Sequence, residues 1–147
     1  MTDECVICLK HRGEGPLTGQ LIARVDEFWV YHARTDDEGR SPLGWLFIES
    51  DRHAPYIWDL GEDESANLGR LRTRLAQALR QEFDAEVVIT LVIGMGIAHF
   101  HEHLIPRMRG ASADLPWHQS EEALSKAMSA EVAALAGRLR NALELEG

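Results

Sequence analysis

The sequence predicts an α+β protein with an antiparallel sheet of about five strands, one main helix and a further helix at the carboxyl end. Three observations predict this class. Short β-rich segments fill the first part of the chain, a helical pattern separates the third strand from the fourth, and a second helical pattern closes the chain. The length of 147 residues is typical of one domain that buries a hydrophobic core.

Three strands are predicted before the main helix. Residues 19–25 and 27–33 are rich in Ile, Val, Phe, Trp and Tyr, and Asp26 lies between them, so we interpret them as the two arms of a hairpin. A polar loop over residues 34–42 leads to the third strand, residues 43–49.

The main helix follows the acidic residues 62–64, which suit the amino terminus of a helix. Its apolar residues recur at helical spacing, at Leu68, Leu71, Leu75, Leu79 and Phe83. Residues 87–93 predict a buried strand, and the turn at 94–96 leads into a last strand from residue 99. We therefore expect the last two strands to be antiparallel neighbours.

The composition changes after Arg109 from strand-forming residues to Ala and Glu. We therefore divide the chain into a domain over residues 1–110 and an extension over residues 111–147, made of a loop and a helix. Ser120 is expected to cap that helix. The apolar stripe of the helix is expected to dock on the domain or to form a dimer seam, and it comprises Leu124, Met128, Val132, Leu135, Leu139 and Leu143.

The balance of charges indicates which kinds of partner the protein is expected to bind. The 15 Lys and Arg residues against 24 Asp and Glu residues give a formal net charge of −9. This charge argues against sequence-independent binding to long nucleic acid, but not against a small phosphorylated substrate. The chain has no basic apolar leader and no apolar stretch long enough for a membrane span, so a cytoplasmic protein is expected.

Three histidines alternate in the last predicted strand, at His99, His101 and His103. Alternate side chains of a strand share one face and lie roughly 7 Å apart. Three neutral imidazoles on one face need many hydrogen-bond partners, which a purely structural strand has little reason to carry. The pattern therefore predicts a catalytic or metal site.

Several unrelated folds carry alternating histidines. A (β/α)8 barrel needs upwards of ~200 residues, and a metallo-β-lactamase site needs an Asp-His pair where this chain has Glu102-His103. A cupin would be all-β, without the helix over residues 68–83. A cupin-like enzyme with all three histidines on one catalytic metal remains an alternative interpretation.

The run from His99 to Arg107, His-Phe-His-Glu-His-Leu-Ile-Pro-Arg, resembles the signature of the histidine triad (HIT) superfamily of nucleotidyl hydrolases and transferases. The similarity extends to the Cys-x-x-Cys at Cys5 and Cys8, to the hairpin over 19–33 and to the strand that ends before His53. It covers residues 4–109 and implies a HIT-like fold. It also implies a homodimer formed through the main helix and the strand that follows it.

The resemblance implies hydrolysis or transfer at an α-phosphate through a covalent nucleotidyl-histidine intermediate. His101 matches the nucleophile, since a neutral imidazole attacks without a separate base. His103 matches the residue that contacts the phosphate, either stabilising charge or donating a proton to the leaving group. The substrate is expected to be a small nucleotide or phosphoramidate, with dinucleoside polyphosphates as a second class. A non-catalytic nucleotide- or zinc-binding protein is the alternative.

The Cys-x-x-Cys subtype of this superfamily implies structural zinc, held by Cys5, Cys8, His53 and His99. Two thiolates and two imidazoles leave no open position for catalysis. The Cys-x-x-Cys spacing alone also suits a redox pair or two unligated thiols.

Other positions are expected to bind substrate or to pack. The turn Gly94-Met95-Gly96 is expected to present backbone N–H groups to a phosphate, although the Gln and Ser or Thr usual there are replaced. Arg107 is a candidate for substrate binding or a salt bridge. Ala33 stands where the superfamily commonly has an Asp for the ribose, with Asp36 and Asp37 as possible replacements. We interpret Trp45 as a packing residue, and Glu102 as pointing away from the histidines.

Overall fold

A computed structural model describes residues 4–146, and these form three helices, seven strands and two short 3-10 turns. The elements are α1 (Val6–His11), β1 (Leu21–Val25), β2 (Phe28–His32), β3 (Arg40–Pro42), β4 (Leu46–Ser50), a 3-10 turn (Ile57–Asp59), α2 (Glu62–Glu82), β5 (Ala85–Leu91), β6 (His101–Met108), a 3-10 turn (Trp117–Ala123), β7 (Lys126–Met128) and α3 (Ser129–Glu146).

The main sheet has five strands in the order β1-β2-β4-β6-β5, and every neighbouring pair is antiparallel. The predicted fold class is therefore confirmed, including the hairpin at Asp26 and the antiparallel pairing of the last two strands. Asp26 has φ 53°, in the left-handed region that tight hairpin turns use.

The carboxyl-terminal helix differs from its prediction, because it begins at Ser129 and not after Ser120. Residues 126–128 form β7 instead, and they pair with β3 in a separate two-stranded sheet. Ser120 caps no helix there, since its hydroxyl donates to the carbonyl of Trp117. The predicted helical positions Leu124 and Met128 therefore lie outside α3.

One hydrophobic core lies between the main sheet and the two long helices. The sheet contributes residues such as Phe28, Ile48 and Leu104, and α2 contributes the predicted Leu68, Leu71, Leu75 and Leu79. The stripe of α3 joins this same core through Val132, Leu135, Leu139 and Leu143. The stripe therefore docks on the domain. No helix in the described part of the chain is long and apolar enough to cross a membrane.

Glu102 lies on the helix-covered face of β6, away from the histidines, as its position in the strand predicts. Its carboxylate is buried and accepts two hydrogen bonds from Arg72 of α2, at 2.6 Å from Nε and 2.7 Å from Nη2. This bidentate ion pair ties α2 to the strand that carries the histidines.

Replacing Arg72 by Ala is expected to lower the free energy of unfolding by about 2 kcal/mol, because the Glu102 carboxylate would stay buried without its partner. Urea unfolding measures this change. Arg70→Ala is the matched control, since Arg70 is an exposed residue of the same helix. Equal losses in the two variants would contradict a specific role for the Arg72–Glu102 pair.

Candidate active site and metal centre

Four side chains from three parts of the chain meet at the amino end of α1. Cys5 caps α1, Cys8 lies within it, His53 follows β4 and His99 precedes β6. Their ligand atoms all lie within 4.8 Å of one another. Cys5 Sγ is 3.3 Å from His99 Nδ1, and Cys8 Sγ is 3.5 Å from His53 Nδ1. The four residues predicted as zinc ligands are therefore brought together.

The hydrogen bond of His99 selects the nitrogen that faces this cluster. Nε2–H donates to the carbonyl of Ser50 at 2.6 Å, which leaves the lone pair on Nδ1. Burial lowers the pKa of His99 and so favours the neutral ring that a metal requires. Two thiolates with two neutral imidazoles are the donor set of a closed tetrahedral zinc site.

The three histidines of the triad are not equivalent. His99 precedes β6 and turns towards the cysteines, while His101 and His103 lie within the strand and outside the cluster of four ligands. The interpretation with three histidines on one metal is therefore wrong for this arrangement.

His101 lies on the open face of the sheet and is half-buried. Its Nδ1–H donates to the backbone carbonyl of His99 at 2.8 Å. The ring therefore keeps its lone pair on Nε2, the nitrogen that is left to react. His101 also lines a cavity of about 700 Å³, which is large enough for a nucleotide-sized molecule.

His103 lies beside His101, with 5.7 Å between the ring centroids. Its Nδ1 accepts a hydrogen bond from Nε1–H of Trp45 at 3.2 Å, and its ring packs against Phe47. Burial, together with the neighbouring His101, lowers the pKa of His103 to about 4. His103 is therefore neutral at pH 7.

A buried ion pair lines the same cavity and was missed by sequence reasoning. Lys10 Nζ lies 2.6 Å from Glu49 Oε2, and His11 Nε2 lies 3.0 Å from Glu49 Oε1. Burial by itself would raise the pKa of Glu49, but His11 and Lys10 hold it below its ordinary value. Glu49 is the register partner of His101 across β4 and β6, so these charges lie on the face that carries the nucleophile candidate.

The loop after β2, the start of β3 and the segment before α3 complete the cavity. They contribute mainly charged side chains: Arg34, Asp36, Asp37, Arg40, Glu121, Glu122 and Lys126. Pairing of β7 with β3 brings the later residues to the cavity. No motif in the sequence signals this contact, because it depends on a strand pairing between distant segments.

Asp36 and Asp37 both line the larger cavity. This location is the one expected of residues that replace the Asp missing at Ala33. Asp36 is already engaged in its own turn, where Oδ1 accepts the backbone N–H groups of Glu38 and Arg40 at 2.9 and 3.0 Å. The Asp36 Oδ1 atom is therefore engaged within the loop itself.

The remaining substrate-binding candidates lie apart from this cavity. Gly94, with φ 72°, and Met95 line a smaller cavity of about 280 Å³ that also borders His101, while Gly96 is not among the lining residues of either cavity. The guanidinium of Arg107 donates to the hydroxyl of Ser120 and to the carbonyl of Ser112, each at 3.0 Å. Arg107 thus anchors the segment after β6.

Comparison with solved structures identifies the fold. A hypothetical histidine triad nucleotide-binding protein from Sulfolobus tokodaii has a TM-score of 0.69 and 19% identity, over 96% of this chain and 93% of that one. A zinc-bound histidine triad family protein from Mycobacterium smegmatis has a TM-score of 0.65 and 19% identity, over 97% and 95%. A HIT family hydrolase from Legionella pneumophila has a TM-score of 0.52 and 22% identity, over 78% and 97%.

No family model matches the chain, and no curated protein is similar to it in sequence. The structural similarity, at these identities, establishes the fold: the chain has the fold of histidine triad proteins.

Proposed function

We propose that this protein is a nucleotidyl or phosphoramidate hydrolase or transferase that acts at an α-phosphate through a covalent intermediate on His101. The observation that carries the proposal is the hydrogen bond from His101 Nδ1 to the carbonyl of His99. This bond fixes the tautomer whose Nε2 lone pair is free, on a ring that lines the larger cavity.

In the first step Nε2 of His101 forms a bond to phosphorus. The bond from phosphorus to the leaving group breaks with its electron pair on the leaving group, which takes up a proton from solvent. In the second step water attacks phosphorus, the N–P bond breaks, and neutral imidazole is regenerated as a proton passes to solvent. Because imidazole is both a good nucleophile and a good leaving group near neutral pH, one side chain serves both steps.

His103 would bind a non-bridging phosphate oxygen, and the backbone at Gly94 and Met95, which shares the smaller cavity with His101, would supply further N–H donors. The proposed substrates are small nucleotides with an amine or phosphate leaving group, such as an adenosine 5′-phosphoramidate or a dinucleoside polyphosphate. The neutral state of His103 supports a role as hydrogen-bond donor to the phosphate over a role as cationic acid.

The test is hydrolysis of adenosine 5′-phosphoramidate by the purified chain without added divalent cations. Appearance of AMP at a rate proportional to protein concentration is expected. If no nucleotidyl substrate of either class is turned over, while the folded protein binds the nucleotide, the alternative of a non-catalytic binding protein holds.

A specific observation favours that alternative as the second candidate. The cavity is lined by the buried Lys10–Glu49 ion pair, and Asp36 is engaged in its own turn. The surface that would recognise a nucleotide is therefore largely charged, while the fold and the metal ligands are retained. Nucleotide binding in a calorimeter without any covalent adduct would support this candidate.

Structural zinc is proposed at Cys5, Cys8, His53 and His99, which would hold the ion with no position left for substrate. The zinc-bound neighbour from Mycobacterium smegmatis supports the assignment. Zinc there would fix α1, which also supplies Lys10 to the cavity.

We also propose a homodimer through α2 and β5. β5 is an edge of the main sheet, and Val87 on it is 47% exposed. An unpaired edge with apolar side chains favours association with a second copy. Light scattering after size-exclusion chromatography is expected to give a molar mass twice that of one chain. The Val87→Lys variant is expected to have the mass of a single chain. Met128→Lys, on β7, is the control; a monomeric wild type would contradict the proposal.

A further inference from the structure

Trp45 contacts His103, the residue proposed to bind phosphate, through a hydrogen bond and not only through packing. The indole Nε1–H donates to His103 Nδ1 at 3.2 Å, and the two rings are inclined by only 20°. The indole N–H and the imidazole lone pair each lie in the plane of their own ring. The geometry needed is that the indole N–H points along the lone pair of His103 Nδ1, and the small angle between the ring planes is compatible with it.

This bond determines which nitrogen of His103 carries the proton. Tryptophan has an N–H donor and no acceptor, so Nδ1 of His103 must be the acceptor. The proton of the neutral ring is then on Nε2. A proton on Nδ1 would place two N–H donors against each other across 3.2 Å.

The surroundings of His103 offer no competing partner for Nδ1 among the described residues. Its ring contacts two aromatic side chains, Phe47 of β4 and Trp45, the residue directly before β4. It also contacts the ring of His101 in its own strand. Leu91 of β5, its register partner on the other side, is apolar. His101 is the titratable neighbour, and it already donates to a backbone carbonyl.

Trp45 is itself held in place by the backbone around it. Its carbonyl accepts the N–H of Ala33 at 2.8 Å, and Gly44 before it has φ 103°. A Cβ at Gly44 would lie 2.9 Å from the ring of Phe83, so glycine is required for the chain to turn at this point. The turn at Gly44 therefore places the indole of Trp45 next to His103.

We propose that Trp45 is a positioning residue that locks His103 in the Nε2–H tautomer, so that His103 donates a neutral hydrogen bond to the substrate phosphate. The inference rests on the proposed function for its consequence in catalysis. Its structural content, the tautomer, does not depend on turnover.

The test is the ¹⁵N chemical shifts of the His103 ring at pH 7, in wild type and in Trp45→Phe. The wild type is expected to show a protonated Nε2 and an unprotonated Nδ1. Trp45→Phe keeps an aromatic ring but loses the donor, so a mixture of tautomers is expected. Trp29→Phe is the matched control, since Trp29 also donates its indole N–H, to Asp51, on the same face of the sheet; it should leave the His103 shifts unchanged.

The kinetic consequence is a fall in kcat of roughly tenfold to a hundredfold in Trp45→Phe, with KM changed much less, because a misplaced proton weakens a bond needed as charge develops on the phosphate. An Nδ1–H tautomer in the wild type, or an unchanged tautomer in Trp45→Phe, would overturn the proposal. If Trp45→Phe does not fold, the wild-type shifts alone decide. If the tautomer is as expected but no substrate is turned over, the proposed function fails and the assignment of Trp45 stands.

Discussion

His101→Asn is expected to lower kcat for phosphoramidate hydrolysis by at least about a thousandfold, because it removes the side chain that we propose forms the bond to phosphorus. Asn can still donate a hydrogen bond to the carbonyl of His99, so the strand should keep its structure. Its amide nitrogen is not a nucleophile. Product release measured under saturating substrate gives kcat directly.

His118→Asn is the matched control for this substitution. His118 is an exposed histidine in the 3-10 turn before β7, away from both cavities. The His118→Asn protein should retain wild-type turnover and stability. A His101→Asn protein that is folded and fully active would remove His101 from the mechanism.

Loss of the metal centre is expected to have the largest effect on stability. Wild-type protein should contain about one zinc ion per chain, and Cys5→Ser or His53→Ala should lose it. We expect a decrease of about 4 kcal/mol in the free energy of unfolding, because the ion links α1 to the loops after β4 and before β6. Elemental analysis and thermal unfolding, with a fall of roughly 10 °C or more in Tm, measure the two quantities.

The His53→Ala variant is the most informative test of the metal centre, because the His53 side chain is exposed to solvent. Substitution of an exposed histidine usually changes stability by no more than about 0.5 kcal/mol. His118→Ala is therefore the control, and it should behave in that ordinary way. Zinc-free wild-type protein, with a Tm that Cys5→Ser leaves unchanged, would refute the metal assignment.

The sequence predicted the fold class and the antiparallel pairing of the histidine strand with the strand before it, because those features depend on local patterns. Period-two alternation placed Glu102 on the face opposite His101, and helical spacing located the core face of α2. The four metal ligands followed from the resemblance, and their convergence is confirmed. The roles assigned to His101 and His103 remain predictions.

Features that depend on distant pairing could not be predicted. Lys126 to Met128 continued a helical pattern in the sequence, but they pair with β3, which brings Glu121 and Lys126 to the cavity. The Lys10–Glu49 ion pair joins a short helix to a strand, and neither position carries a periodic signal. The sequence predicted a packing role for Trp45. The hydrogen bond from its indole N–H to His103 depends on the three-dimensional structure and has no signal in the sequence.

We propose that His101 carries the nucleotidyl group during turnover. Mass spectrometry of protein quenched without acid, within a few turnovers of mixing with adenosine 5′-phosphoramidate, tests it most directly. We expect a peptide containing His101 with one added adenylyl group, and we expect no such adduct in His101→Asn. Steady formation of AMP without any adduct, or an adduct on another residue, would contradict it.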